Sequence, residues 1–99
     1  MGLSPLPRKV RFGSRVGEII NEVSCRRDFE RGKDCLFLIQ NIRWANGMET
    51  VRFAYYTKPH GTGEDKWGYA NRPPNMEPKV LRELIKKARA KPWFREAVE

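Results

Sequence analysis

The stretch KPHGTGED, residues 58–65, sets the chain's single histidine, His60, just ahead of Glu64 and Asp65. An imidazole near two carboxylates on a glycine-rich loop is the raw material of an acid–base pair or a metal site. One histidine and two adjacent carboxylates fall short of the ligand set that fixes a metal, and the glycines lack the Gly-Lys-Ser/Thr ending of a phosphate loop. The expectation is an exposed loop histidine. The two cysteines, Cys25 and Cys35, are too few for a disulfide framework or a zinc site. A nucleophilic thiol needs a base or a cationic setting, and Arg26 and Arg27 are only sequence neighbours of Cys25. Reduced, buried thiols are expected, and the chain reads as non-enzymatic, with no cofactor called for.

A different chemistry is suggested by IRWANGMETVRFAYY, residues 42–56, where Arg43 and Arg52 ride with Tyr55 and Tyr56 on a β-hairpin pattern. Guanidinium groups hold phosphates, and aromatic rings stack on bases for about 1–3 kcal/mol each. The charge balance points the same way: 20 Lys and Arg against 12 Asp and Glu give a formal net charge of +8. Such an excess favours a polyanionic partner, of which nucleic acid, DNA or RNA, is the commonest. The order of residues in VRFAYY lacks the basic-Gly-aromatic-Gly rhythm of an RRM. WGYANRPP adds Trp67, Tyr69, Asn71 and Arg72 beside a proline pair, a composition that suits a recognition loop or a packed corner.

The elements that must position these groups are read from periodicity and turn chemistry. Residues 1–13 hold Pro5, Pro7 and the basic cluster Arg8, Lys9 and Arg11, which predicts a flexible, extended basic arm. Val16, Ile19, Ile20 and Val23 fall at i, i+3, i+4 and i+7, predicting an N-terminal helix capped by Ser14. Its β-branched content and Gly17 make an extra strand the rival reading. DFERGKD reads as a connection and CLFLIQNIRW as a strand.

Asn46 and Gly47 between two β-rich runs predict a two-residue type I′ turn. That loop would pair Arg43 with Thr50, Asn41 with Arg52 and Leu38 with Tyr55. One face would then carry Leu38, Gln40, Ile42, Trp44, Val51, Phe53 and Tyr55 as the core side. The other would carry Phe37, Ile39, Asn41, Arg43, Thr50, Arg52, Ala54 and Tyr56.

KWGYAN predicts a short third strand beside the second. Pro78 suits the first turn of a helix on which Val80, Leu81, Leu84, Ile85 and Ala88 form the apolar stripe. Its outer face carries Lys79, Arg82, Lys86, Lys87 and Arg89, with the basic residues gathered at the end where they complement the macrodipole. Pro92 is expected to stop this helix, and Trp93 and Phe94 to fold back on the core.

These elements add up to an α+β fold: a three-stranded antiparallel sheet with an N-terminal helix (or an extra strand) and a C-terminal amphipathic helix packed on it. Residues 1–13 form the arm, and residues 14–99 one domain. The expected function is a small basic nucleic-acid-binding protein or accessory subunit. Phosphates are to be held by Arg43, Arg52, Lys79, Arg82, Lys86, Lys87 and Arg89, and a base stacked by Tyr56. The alternative is a protein–protein interaction module that uses the hairpin face or a strand edge, with another protein or a second copy as partner. No window approaches the ~20 apolar residues of a membrane span and no signal peptide is legible, so a cytoplasmic protein without a membrane partner is expected.

Overall fold

In the computed structural model, which describes residues 3, 5–30, 33–63, 66–70 and 75–98, the chain is mostly sheet. The strands are β1 (Arg8–Phe12), β2 (Arg15–Glu30), β3 (Lys33–Trp44), β4 (Glu49–Pro59) and β5 (Gly68–Tyr69), followed by α1 (Pro78–Arg89) and α2 (Pro92–Val98). All strand pairs are antiparallel in the order β1-β2-β3-β4-β5. The sheet curls into a half-barrel and the two helices are short. This overturns the expected three-stranded sheet with an N-terminal helix.

The residues expected to form that helix lie in β2, and Arg8–Phe12 of the expected arm form β1. The physical reason is a β-bulge. Ile19 pairs with Ile42 and Asn21 with Asn41, so Ile20 is an extra residue that breaks the alternation. Ile19 therefore points to one face and Val23 to the other. An inserted residue in a period-two pattern imitates the i, i+3, i+4, i+7 spacing of a helix. DFERGKD is not simply a connection either, because β2 runs to Glu30 and β3 begins at Lys33.

The β3–β4 hairpin departs from expectation by one residue. The Trp44 amide donates to the Met48 carbonyl at 2.8 Å and the Gly47 amide to the Trp44 carbonyl at 2.8 Å. Among the described residues only glycines have positive φ, Gly47 at 88°. Asn46 thus stays out of the left-handed region that a type I′ turn demands. The loop is Ala45, Asn46 and Gly47, with glycine at the bulge position of a three-residue turn. Arg43 pairs with Glu49, Gln40 with Arg52 and Leu38 with Ala54. A one-residue slip exchanges the faces of one strand relative to its neighbour, so Arg43 and Arg52 lie on opposite sides of the sheet.

One face is covered by α1. Val23, Cys25, Cys35, Phe37 and Ile39 pack against Val80, Leu84 and Ala88, with Tyr55, Trp93 and Phe94 at the margin. Withdrawing each large apolar side chain from water contributes about 1.5–3 kcal/mol. Pro78 opens α1 as expected, whereas Pro92, expected only as a stop, opens α2. On the other face Ile19, Leu36, Leu38, Ile42 and Ala54 are buried as well. β3 is consequently buried on both faces.

Candidate nucleic-acid interface

Alternation sends Arg15, Arg26, Trp44, Arg52, Tyr56 and Lys58 to the face that α1 does not cover. Three arginine–aromatic pairs stand on it. The Arg15 guanidinium lies 4.5 Å from the ring centre of Trp44, that of Arg52 4.8 Å from Tyr69, and that of Arg26 5.3 Å from Trp67. Guanidinium carbon over an aromatic face within ~6 Å is a cation–π contact. Lys58 Nζ lies 5.3 Å from the Trp67 ring, and Tyr56 meets Tyr69 edge to face with centroids 5.5 Å apart. Tyr69, Arg15 and Arg26 are exposed, and Trp44, Arg52, Tyr56 and Trp67 half-buried.

A row of polar side chains crosses the sheet beneath these pairs. Arg8 Nη2 donates to Glu22 Oε1 at 2.6 Å, Gln40 Nε2 donates to the same oxygen at 3.0 Å, and Arg52 Nε donates to Gln40 Oε1 at 2.8 Å. Arg52 Nη1 reaches the Tyr69 hydroxyl at 3.4 Å. The row joins β1 to β5 through every strand between. Gln40 is fully buried, and its carboxamide is satisfied on both sides, as a buried polar group must be. The Arg52 plane is thus set by the hydrogen bond to Gln40 from below and by Tyr69 from the side.

At the loop end of the same face, Asp34 gathers Arg26, Lys58 and His60. Arg26 Nη2 is 3.1 Å and Lys58 Nζ 3.6 Å from Asp34 Oδ2, and His60 Nδ1 is 2.8 Å from Oδ1. Asp34 and Lys58 are each 3% exposed, and such buried charges persist because they are paired and hydrogen-bonded. Lys58 Nζ also donates to the Thr62 carbonyl at 2.6 Å, tying the loop to the sheet. His60 is exposed as expected, and among the described residues it meets Asp34. Glu64 and Asp65, which follow it in sequence, lie outside the described residues.

The basic residues singled out from sequence divide between two sides of the sheet. Arg52 and Tyr56 share the helix-free face. Arg43 is exposed on the opposite face beside Glu49, with Nη2 and Oε2 3.4 Å apart. Lys79, Arg82, Lys86 and Arg89 lie on the exposed part of α1, beyond the sheet from Arg52. Lys87 turns back, its Nζ donating to the Ser24 carbonyl at 2.6 Å and standing 3.4 Å from Glu83. Arg15, Asp34 and Lys58 carry no signal of this role in the sequence, Arg26 stands out there only as a neighbour of Cys25, Trp44 is expected on the core side, and Trp67 lies in a stretch suited to a recognition loop or a packed corner. Each pair joins residues distant in sequence, and the only local sign was the aromatic content of WGYAN. Comparison with protein-family models, curated proteins and solved structures finds no match for the chain.

Proposed function

We propose that the protein binds single-stranded nucleic acid across the helix-free face of its sheet. The observation that carries this reading is the set of three arginine–aromatic pairs, Arg15 with Trp44, Arg52 with Tyr69 and Arg26 with Trp67, on one face. Flat cationic and aromatic surfaces suit unpaired bases, whose faces a duplex hides, and the guanidinium edges suit the phosphates between them. The net charge of +8 draws the strand in. Nothing in this mechanism reads base edges, so little sequence preference follows. The α1 row of Lys79, Arg82 and Lys86 is a separate basic surface that adds charge without stacking.

The test is fluorescence anisotropy with labelled single- and double-stranded DNA and RNA across a salt series. Tighter binding of single strands is expected, with a log–log salt slope of about −2 if three arginines meet phosphates. Tyr69→Ala is expected to weaken single-strand binding by about 1–3 kcal/mol, the worth of one base stack. Binding insensitive to salt, or unaltered when Tyr69→Ala is combined with Arg52→Ala, would overturn the reading.

A second reading, a protein-interaction module, is favoured by one feature on the α1 side. Phe53 and Leu81 are 45% and 41% exposed, and with Met76 and Asn75 they line a hollow of about 310 Å³. A partner seated there would be held by apolar contact and would survive salt that releases a polyanion.

A further inference from the structure

Phe12 is 72% exposed, the most exposed of the large apolar side chains among the described residues. It ends β1, an edge strand of the sheet. Edge strands are commonly guarded by charge, as the exposed Lys9 and Arg11 guard this one. A single bare ring needs no explanation by itself; the neighbours of Phe12 give it one. Arg8 pairs with Ile19 and Ile19 with Ile42, two residues from Trp44, so alternation sends Arg8, Val10 and Phe12 to the helix-free face.

Phe12 is the direct cross-strand partner of Arg15, which sets their Cβ atoms about 5 Å apart on one face. On its other side Arg15 lies over the Trp44 ring, 4.5 Å from its centre. Gly17, which pairs with both Val10 and Trp44, brings no side chain between them. Arg15 therefore stands between two aromatic residues, its plane backed by Trp44 and its β1 flank by Phe12. Among the described residues no carboxylate pairs with Arg15. Glu22, the carboxylate that β2 turns to this part of the face, is taken up by Arg8 and Gln40, and Glu18 and Glu49 lie on the opposite face. Glu64 and Asp65 follow β4 only after it has run the length of the sheet away from this end.

We propose that Phe12 and Arg15 form a stacking subsite at the hairpin end of the helix-free face, one base on the Phe12 ring and the next on the Arg15 plane. The subsite rests on the single-strand reading above and carries the bound strand from the Tyr69 side of the sheet to the β1 edge. The guanidinium over Trp44 and the Phe12 ring stand two strand spacings apart, about 10 Å. That separation suits neighbouring bases of an extended strand rather than the two faces of one base. The N–H edge of Arg15 is left for the phosphate that links them. Phenylalanine has no polar atom with which to read a base, so the stack accepts any of the four.

The test is anisotropy of a labelled oligothymidylate of about ten nucleotides, titrated across a salt series with variants of the intact protein. Phe12→Ala is expected to weaken binding about fivefold or more at every salt concentration, as the loss of one base stack does. Its log–log salt slope is expected to match the parent's, because no phosphate contact is lost. Phe12→Leu, which keeps an apolar side chain at the edge, is expected to lose as much, and Phe12→Trp, which keeps a ring, to hold the parent's affinity. Arg15→Gln is expected to flatten the slope by about 0.7, the share of one phosphate on a single strand. Urea midpoints of the three Phe12 variants are expected to match the parent's, since the side chain is exposed, which separates lost stacking from lost folding. Parent affinity in Phe12→Ala or Phe12→Leu would overturn the subsite and leave the single-strand reading standing, with Tyr69→Ala as its own check. A parent protein that fails to bind the oligonucleotide at low salt would defeat that reading and the subsite with it.

Discussion

Cys25, buried beneath α1, donates its thiol proton to Glu83 Oε2 at 3.2 Å. Burial pushes this thiol above its ordinary value, the bond to Glu83 and the negative charge of Glu83 add to the rise, and Lys87 and Arg27 only partly oppose it. Glu83 is held below the usual carboxylate range, first by the bond from Cys25 and then by Lys87. The two shifts have opposite consequences for stability. The Cys25 contribution is complete below the unfolded thiol pKa and is lost as pH rises through the higher folded value. The Glu83 contribution is present above the unfolded carboxyl pKa and is lost as pH falls through the lower folded value. The thiolate is the reactive form. Alkylation of Cys25 by iodoacetamide near pH 8 should therefore be slower in the native protein than in urea, by about two orders of magnitude. Glu83→Ala should speed it, and mass spectrometry of timed quenches reads both rates. Native and unfolded rates within a factor of two of each other would contradict the buried, raised thiol.

At the scale of elements, β2 shows how a strand hides in a sequence. The apolar spacing of residues 16–23 is that of a helix, and only the extra residue at Ile20 explains it. No local signal marks a bulge. Its partner feature is Gly17, which faces Trp44 across the pair. A Cβ there would lie 2.8 Å from the Arg43 carbonyl oxygen and 2.9 Å from Trp44 Cε3. Backbone cannot yield as a flexible side chain does, so Gly17→Ala should cost about 1–3 kcal/mol and displace Trp44 from Arg15. Urea unfolding followed by tryptophan fluorescence should show a lower midpoint at unchanged slope. A variant as stable as the parent would show that the close approach is relaxed without cost.

The β3–β4 hairpin is a second case. Asn46 and Gly47 announce a turn, and a turn is there. The pair also fits a three-residue loop in which only Gly47 takes positive φ. That one extra residue decides which arginine shares a face with which. The expected cluster of Arg43 with Arg52 does not exist, and Arg52 instead finds Gln40 and Tyr69. α1 was largely legible, because Pro78, the buried Val80, Leu84 and Ala88 and the terminal basic residues agree, although Leu81, expected in the apolar stripe, is exposed.

For the whole molecule, burial is concentrated on β3, which lies beneath α1 on one side and is buried on the other as well. Cys35, Leu36, Phe37, Leu38, Ile39, Gln40, Asn41 and Ile42 are all buried. Native-state hydrogen exchange should accordingly find the slowest amides in this run. Those of β1 and β5, at the two edges of the sheet, should exchange at least about tenfold faster, because opening an edge exposes little apolar surface. Equal protection at edge and centre would mean that the sheet opens only as a unit.

The sequence by itself determined that the chain is basic, that residues 35–56 form a strand hairpin and that residues 78–89 form an amphipathic helix. Charge is a sum, and turn and cap preferences act over a few residues, so neither needs distant partners. Only the tertiary structure decided that β1 and β2 complete a five-stranded sheet, and which side chains share its faces. Those outcomes depend on the bulge at Ile20 and on the length of one turn. Arg15 meets Trp44, Arg26 meets Trp67 and Asp34 meets His60 because strands far apart in sequence lie in register, and register is fixed when both faces of β3 are buried together.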